Sequence, residues 1–586
     1  MKKSLIISMM LSAMLLTACG GAGGETTNSN SASNNPSESS SAGSTYQVTL
    51  NETQVTLAIE GTAQLTATTN VAGATIAWSS SNESVATVDQ TGKVTAVAEG
   101  TAVITASLSG REEKATCEVT VVGNYYVQEP TEITVETTFN DTYAQIFKDA
   151  IASLAKKEPN LTVKYSKYSG DYTMLKEDVI RGFSANDYPD VVVAYPDSVA
   201  DFINSARQLK MDKYMNNEDY GWTEEERNDF YEAYLIEGRE YAVEGTYSLP
   251  IAKSTEGMYY DEEKLIGISL ASIDPTINNG NAITASYLNS LTWDELFNKF
   301  APALLRYRES LPTEEAKKAF LDMSDAYAVL GYDSDENLFI TLARQYGYEY
   351  TDVDQTTATG LVKFNNDGMK NIMKKFHSAY KNKYITTKGA YGASVNKAFN
   401  EDKVLLSIGS TGGVMYQYSS SNPKNVGVAR IPQADNSAPK ILQQGPSLAF
   451  LAHGTGAEKN NRGLGAWLFY KELTSVQNCI AWATTTGYSP IRKSVAESDD
   501  FLDFSDPSEK AEHSIDRLKA YNAGYQSKVS NYFFSSPVFK GSSDTRVYVG
   551  SLVTDVFNKE TLTDEELNTL FQTAYDKSVL AINSGK

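Results

Sequence analysis

The chain has 586 residues and a formal net charge of −22, from 51 Lys plus Arg against 73 Asp plus Glu. At about 150 residues per domain, the length predicts several folded units. The acidic balance argues against nucleic acid as a partner, because binding there rests on a basic face that neutralises phosphates. Three scattered His and three scattered Cys argue against a zinc site of ordinary spacing and exclude a dense disulfide scaffold. The 36 Tyr against 5 Trp fit either a sugar-facing surface or a compositional habit.

Lys2 and Lys3 precede an apolar run from Leu5 to Leu16, followed by Thr17-Ala18-Cys19. This is the charged, apolar and small-residue order of a secretory signal peptide over residues 1–18. The run is short for a bilayer span, and no later stretch offers about 18 uninterrupted apolar residues. Leu16-Thr17-Ala18-Cys19 resembles the bacterial lipobox, which implies cleavage before Cys19, acylation of its thiol and a membrane anchor. Residues 19–45 are then the lipidated Cys and a disordered tether of Gly, Ser and Asn, with a mean reach of roughly 30 Å. Cys117 lies in an alternating run and Cys479 in an apolar helical one, in different domains, so both are expected to be buried and unbridged.

Residues 46–122 carry seven short alternating runs: 48–50, 63–67, 75–78, 85–88, 93–97, 102–106 and 117–121. Gly61, Gly73, Gly92, Gly100 and Gly110 mark the turns, and the spacing predicts a β-sandwich. Ala77-Trp78-Ser79-Ser80-Ser81, Val85-Ala86-Thr87-Val88-Asp89, Gly92-Lys93-Val94-Thr95-Ala96 and Gly100-Thr101-Ala102-Val103-Ile104 resemble the group 2 bacterial immunoglobulin-like domain. The resemblance implies a core position for Trp78. Such domains serve as adhesive modules or as spacers, and a single copy beside a tether favours the spacer.

From about residue 130 the pattern alternates strands and helices: a strand at 132–136, a helix from Thr142 to Lys157, a strand at 161–165, a helix from Tyr172 to Ser184 and a strand at 190–194. This predicts βαβ units on a parallel sheet, with any ligand beyond the carboxyl ends of the strands. Four stretches, in order, resemble family-1 extracellular solute-binding proteins, the sugar-binding components of ATP-driven importers. They are Tyr188-Pro189-Asp190-Val191-Val192 with Tyr195-Pro196-Asp197; Leu249 to Thr255 continuing to Met258-Tyr259-Tyr260-Asp261; Leu291-Thr292-Trp293-Asp294-Glu295-Leu296; and Phe399 to Ser410. Gly445-Pro446-Ser447, Ala466-Trp467-Leu468-Phe469 and Tyr488-Ser489-Pro490-Ile491-Arg492 continue the likeness. Where many relatives carry a Trp after the fourth stretch, this chain has Thr411-Gly412-Gly413 and then Tyr416.

The resemblance covers roughly 130–586 and implies a multidomain chain: an N-terminal Ig-like β-sandwich followed by a two-lobed α/β periplasmic-binding-protein-like fold. Lobe one is expected at about 130–250 plus 430–490, and lobe two at about 256–428 plus the C-terminal helices. Thr292 is expected to cap its helix, with Glu295 completing a capping box. The implied function is capture of a sugar or oligosaccharide at the extracytoplasmic face of the cell membrane for delivery to ABC permease subunits. The alternative is a surface adhesin that binds glycans through the Ig-like domain.

A polyhydroxylated ligand calls for carboxylates and amides at the ring edge and aromatic faces above it. The positions that follow strands and crossovers supply Asn140, Asp171, Tyr195, Asp197, Ser254, Thr255, Ser410, Tyr416, Gln444 and Tyr488, with Gln443 beside them. Asn140, Asp171 and Asp197 are equally placed to cap helices, and Tyr195 and Tyr488 to pack the lobes. Trp222, Trp467 and Trp482 read as packing residues. No G-x-S-x-G elbow occurs, no acid pair stands out among 73 acids, and His453-Gly454-Thr455-Gly456 lacks the Lys-Ser/Thr of a phosphate loop. The chain is therefore expected to be a binding protein rather than an enzyme, with no metal and no cofactor.

Overall fold

The computed structural model describes residues 46–122, 125–354 and 356–584, in two compact units that divide after Val122. The signal peptide, Cys19 and the tether lie outside the described residues.

In the first unit, β1 (Val48–Leu50) pairs with β4 (Ala67–Thr69). One sheet runs β2 (Gln54–Ala58), β9 (Lys114–Val122), β8 (Gly100–Leu108), β5 (Ile76–Ser80), and the other runs β3 (Thr62–Gln64), β7 (Lys93–Ala96), β6 (Ala86–Val88). Two features depart from the sequence expectation. The strand expected at 63–67 is broken at Leu65 and Thr66, where the chain leaves β7 for β1: Leu65 N–H donates to Gly92 O, and Thr66 N–H to Asn51 Oδ1. Gln54–Ala58 is an additional strand, parallel to β9, whose partner is some sixty residues away in sequence. Trp78 is buried with Val94, Ile104 and Val119. Gly92 has φ +82°, and a Cβ there would lie 2.4 Å from Leu65 O and 2.7 Å from the Trp78 ring, so only glycine fits. Cys117 is buried and unbridged in this core, as Cys479 is in the body.

The second unit is built from two five-stranded sheets of matching design. Lobe one has β10 (Thr131–Thr137), β11 (Leu161–Lys167), β12 (Val191–Ala194) and β13 (Ser248–Pro250) running in one direction, with β22 (Ser447–Phe450) inserted antiparallel between β12 and β13, in the order β11-β10-β12-β22-β13. Lobe two has β15 (Ala328–Tyr332), β18 (Ile385–Thr387), β19 (Val404–Ser410) and β20 (Val426–Ala429) running in one direction, with β14 (Glu256–Asp261) inserted antiparallel between β19 and β20, in the order β18-β15-β19-β14-β20. The antiparallel strands are the ones that the crossovers deliver.

Each lobe closes over its own apolar core, and the sequence motifs prove to be its fasteners. Asp190 is buried and takes two 2.7 Å bonds from Arg462 and one from Thr134 N–H, locking β12 to β10 and to the Gly456–Leu473 helix. Trp293 is fully buried in lobe two, and its indole N–H donates to Gln345 at 2.8 Å. Thr292 caps the turn through Glu295 N–H. The expected capping box is not completed, because Glu295 instead accepts from the Tyr287 hydroxyl at 3.1 Å. Trp222, Trp467 and Trp482 are all buried in lobe one.

The second crossover falls later than expected. Residues 426–442 belong to lobe two, since β20 pairs with β14, and Ile441 and Leu442 sit in that core. Lobe one in turn extends to Phe501. The first crossover and the second run side by side: Ser254 and Gln444 exchange backbone hydrogen bonds of 3.0 and 2.8 Å.

Candidate functional site

Between the lobes lies a cavity of about 680 Å3. Its walls come from the carboxyl ends of strands in both sheets, where open α/β sheets leave backbone and loop groups free for ligands. Lobe one contributes Tyr172 and Lys176 from the helix after β11, and Tyr195 and Asp197 from the helix after β12. Lobe two contributes Asn337 from the helix after β15, Lys388 after β18 and Ser410 at the end of β19. The crossovers supply Glu256, Gln443 and Gln444, and the Ser542–Asn558 helix supplies Ser542 and Arg546. A second hollow of about 550 Å3 shares Asp197, Asp333, Lys388 and Arg546 with the first and continues along lobe two to Thr554 and Asp555.

Tyr195, Asp197, Ser410 and Gln444, all expected from the sequence, line this cavity. Tyr195 is the N-cap of the Pro196–Asn204 helix but makes no side-chain cap bond. Its partly exposed ring stands edge-on to Tyr172, with centroids 5.0 Å apart. Asp197 is not a cap. It occupies the first turn of that helix and accepts a hydrogen bond from the Ser542 hydroxyl across the cleft.

The other six expected residues stand outside the lining. Asn140 and Asp171 cap the Asp141–Lys157 and Tyr172–Ala185 helices, accepting from Tyr143 N–H at 3.0 Å and from Met174 N–H at 2.9 Å. Such caps contribute about 1 kcal/mol each. Ser254 is buried in the paired crossovers with its hydroxyl 3.3 Å from that of Ser410. Thr255 is fully buried, its hydroxyl donating to Leu442 O and its N–H to the Thr411 hydroxyl. Tyr416 is 70% exposed. Tyr488 stacks on Trp482 and packs against Gly412, where a Cβ would come within 2.7 Å of its ring. Gly412 thus makes room for a tyrosine of the opposite lobe.

Two groups in and beneath the cleft wall, Glu256 and the Lys253–Glu237 pair, had no distinct sequence signal beyond a polar residue in an apolar run, whereas Gln443 was expected beside Gln444. Glu256 begins β14 and is buried, accepting from the Tyr332 hydroxyl at 2.5 Å and the Thr341 hydroxyl at 3.4 Å. Burial raises its pKa to about 7, against the opposing pull of those donors, Asn337 and Arg546. Lys253 and Glu237 form a buried ion pair beneath the crossovers, with Lys253 also donating to Gly445 O at 3.1 Å and Ser447 to Glu237 at 3.3 Å. Desolvation outweighs the pairing and lowers the Lys253 pKa. Gln443 is 6% exposed, lines the cavity, and has neither amide nitrogen nor oxygen partnered. The buried Tyr350 hydroxyl, also in the lining, is likewise unpartnered.

Two α/β lobes joined by paired crossovers around a polar cleft are the architecture of hinge-closing binding proteins. A family model described as bacterial extracellular solute-binding protein matches residues 149–507, and one described as bacterial Ig-like domain (group 2) matches residues 44–119. The chain belongs to the bacterial extracellular solute-binding proteins and carries a group 2 Ig-like domain ahead of its body. Among solved structures, UgpB from Mycobacterium tuberculosis in complex with glycerophosphocholine matches with TM-score 0.55 and 14% identity, over 77% of this chain and 98% of that one. The sugar-binding protein MalE from Xanthomonas citri matches with TM-score 0.54 and 13% identity, over 77% and 98%. The cyclic alpha-maltosyl-1,6-maltose binding protein from Arthrobacter globiformis gives TM-score 0.53 and 13% identity, over 77% and 99%. At these identities the likeness is one of fold. No curated protein sequence matches the chain. Among the described residues, no helix is long and apolar enough to cross a membrane.

Proposed function

We propose that this chain is a membrane-anchored substrate-binding lipoprotein of an ATP-driven importer, which captures a sugar or oligosaccharide between its lobes and delivers it to permease subunits. The observation that carries the reading is Gln443. A buried amide left unpartnered costs about 1–3 kcal/mol, and its place in the cavity wall means that a ligand rich in hydroxyls would satisfy both its donor and its acceptor. Tyr195, Asp197, Ser410 and Gln444 surround it with a face, a carboxylate, a hydroxyl and an amide. Solved proteins of the same fold support a carbohydrate, since one is bound to maltotriose and another complexed with maltotetraose. In this reading Asn140, Asp171, Ser254, Thr255 and Tyr488 hold the frame rather than the ligand. The protein binds and releases its ligand without turning it over.

A melting-temperature screen of the full chain against oligosaccharides tests the cleft, because a ligand at 100 times its Kd stabilises by about 2.7 kcal/mol. The correct sugar raises the melting temperature of the native chain, and Gln443→Ala lowers its affinity by about tenfold or more. A screen in which nothing shifts refutes carbohydrate capture. The anchor has its own test: Cys19→Ser moves the protein out of the detergent phase, and unchanged partitioning refutes lipidation at that residue.

A further inference from the structure

Glu256 is a carboxyl group walled in without a cation of its own. It opens β14 directly after the first crossover, is 1% exposed, and forms no ion pair among the described residues. From β15 the Tyr332 hydroxyl donates to Oε2 at 2.5 Å, and from the Asp335–Gln345 helix the Thr341 hydroxyl donates to the same oxygen at 3.4 Å. That helix also brings up Glu336 and Asn337. The Ile515–Val529 helix brings Tyr525, whose hydroxyl donates to the Glu256 backbone carbonyl at 2.7 Å and not to the carboxyl. The Ser542–Asn558 helix brings Arg546, whose guanidinium donates to Asn337 Oδ1 at 2.6 Å rather than to Glu256. On β19 the residue opposite is Ser410, which carries no charge. Lys253, on the crossover itself, is tied to Glu237.

The ionisable groups that face Glu256 are thus two phenols kept neutral by burial, one carboxylate that opposes its charge, and one guanidinium engaged elsewhere. Neutral hydroxyl donors repay only part of the cost of burying a carboxylate, and the Glu256 pKa stands at about 7. The side that remains borders the cavity, beside Gln443 and Ser410. What fills the cavity therefore decides how well the ionised form is solvated. A sugar replaces mobile solvent with fixed, uncharged groups, which favours the neutral acid. At 1% exposure the carboxyl offers almost no surface for a new hydrogen bond, so the ligand acts on it through the loss of nearby solvent.

We propose that capture of an uncharged ligand is coupled to protonation of Glu256, so that the cleft takes up a proton from solution with its sugar and holds the sugar more tightly in acid. The inference rests on the proposed capture of a carbohydrate and adds a pH dependence to that same site. Affinity is highest and flat below the ligand-free midpoint of about 7, falls as the pH rises through it, and levels again once both states are ionised. Each unit by which the filled cleft raises the midpoint gives about a tenfold fall in affinity across that range.

Calorimetric titration of the full chain with neutral oligosaccharides of glucose, mannose, galactose and xylose tests this, at about pH 5.5, 7 and 8.5 and in two buffers of different ionisation enthalpy. A probe that binds is expected to take up a fraction of a proton near neutral pH, and to bind severalfold to about tenfold more tightly in the acid arm than in the alkaline one. Glu256→Gln, which copies the neutral acid, is expected to abolish both the uptake and the pH dependence. Tyr332→Phe removes a donor to the ionised form and is expected to move the fall in affinity to higher pH. A role for Glu256 in packing alone would produce neither shift. Binding without proton uptake, or with proton release, overturns the coupling and leaves carbohydrate capture standing. Uptake that persists in Glu256→Gln overturns the assignment to Glu256. Binding by no probe overturns carbohydrate capture and the coupling with it.

Discussion

The Ig-like sandwich and the two-lobed body bury different chemistry. In the sandwich, every buried side chain among the described residues is apolar: Leu65, Trp78, Val94, Ile104, Cys117, Val119 and their neighbours. Its polar groups are spent on surface turns, as where Asp89 accepts from Thr91 and from Lys93 N–H, which lowers its pKa. The body instead buries Lys253, Glu237, Glu256 and Gln443 around its crossovers. Burying such groups costs free energy unless they are paired, and these four cluster at the crossovers and the cleft. A unit built only to be stable hides its polar groups at the surface. A unit built to bind keeps some of them inside.

That contrast can be broken in order of expected effect. The largest belongs to Lys253→Met, which leaves the Glu237 carboxylate buried without its cation. Removing one partner of a buried pair costs about 3–5 kcal/mol, so calorimetry should show the body melting earlier while the sandwich transition stays in place. A cost below about 1 kcal/mol would mean that the pair is not what holds the crossovers together.

Glu256→Gln comes next, and its effect depends on pH. The folded-state pKa of Glu256 is raised to about 7 from an ordinary 4.5. Its favourable contribution is therefore fully present below about pH 4.5 and is lost as the pH rises through 7. At about 1.4 kcal/mol per unit, the variant should gain up to roughly 3 kcal/mol on the native chain between pH 4.5 and pH 8. Denaturant titration across that range checks it, and a difference that does not grow with pH would contradict the assignment.

Asp197→Ala sharpens the comparison at the ligand. Hydrogen bonds to a charged acceptor contribute about 1.5–3 kcal/mol, so affinity should fall ten- to a hundredfold, at about 1.4 kcal/mol per decade. Because Asp197 does not cap its helix, the melting temperature should move little. A lowered melting point with intact affinity would return the residue to the scaffold. The smallest effect is expected from deleting 46–122. All cavity-lining residues lie between Tyr172 and Arg546, and the sandwich closes its core among its own residues, so affinity in solution should stay within about twofold. A tenfold loss would end the view of the Ig-like domain as a spacer.

Much of the fold was legible from local pattern. Alternation with glycine punctuation located most strands of the sandwich and its core Trp78. The β10 to β12 region followed its helical and strand periodicities to within one or two residues. Asn140, Asp171 and Thr292 cap helices, as residues of their type at helix starts should. What failed were features set by distant partners. Gln54–Ala58 becomes a strand because β9 accepts it, and the Glu295 side chain leaves its expected box because Tyr287 offers a hydroxyl.

The sequence by itself determined the order of the parts, the periodicity of each element and five of the residues in the cavity wall, Tyr195, Asp197, Ser410, Gln443 and Gln444, because strand ends show in short-range composition and the crossovers in the likeness to the family. The tertiary structure alone decided that Glu256, Lys388 and Arg546 share one cavity with them. Those residues lie on three segments spread over some three hundred positions, and neither the burial that shifts Glu256 nor the unpartnered state of the Gln443 amide has any local signature. Burial and pairing are properties of what surrounds a side chain in space, and only the closing of one lobe against the other supplies those surroundings.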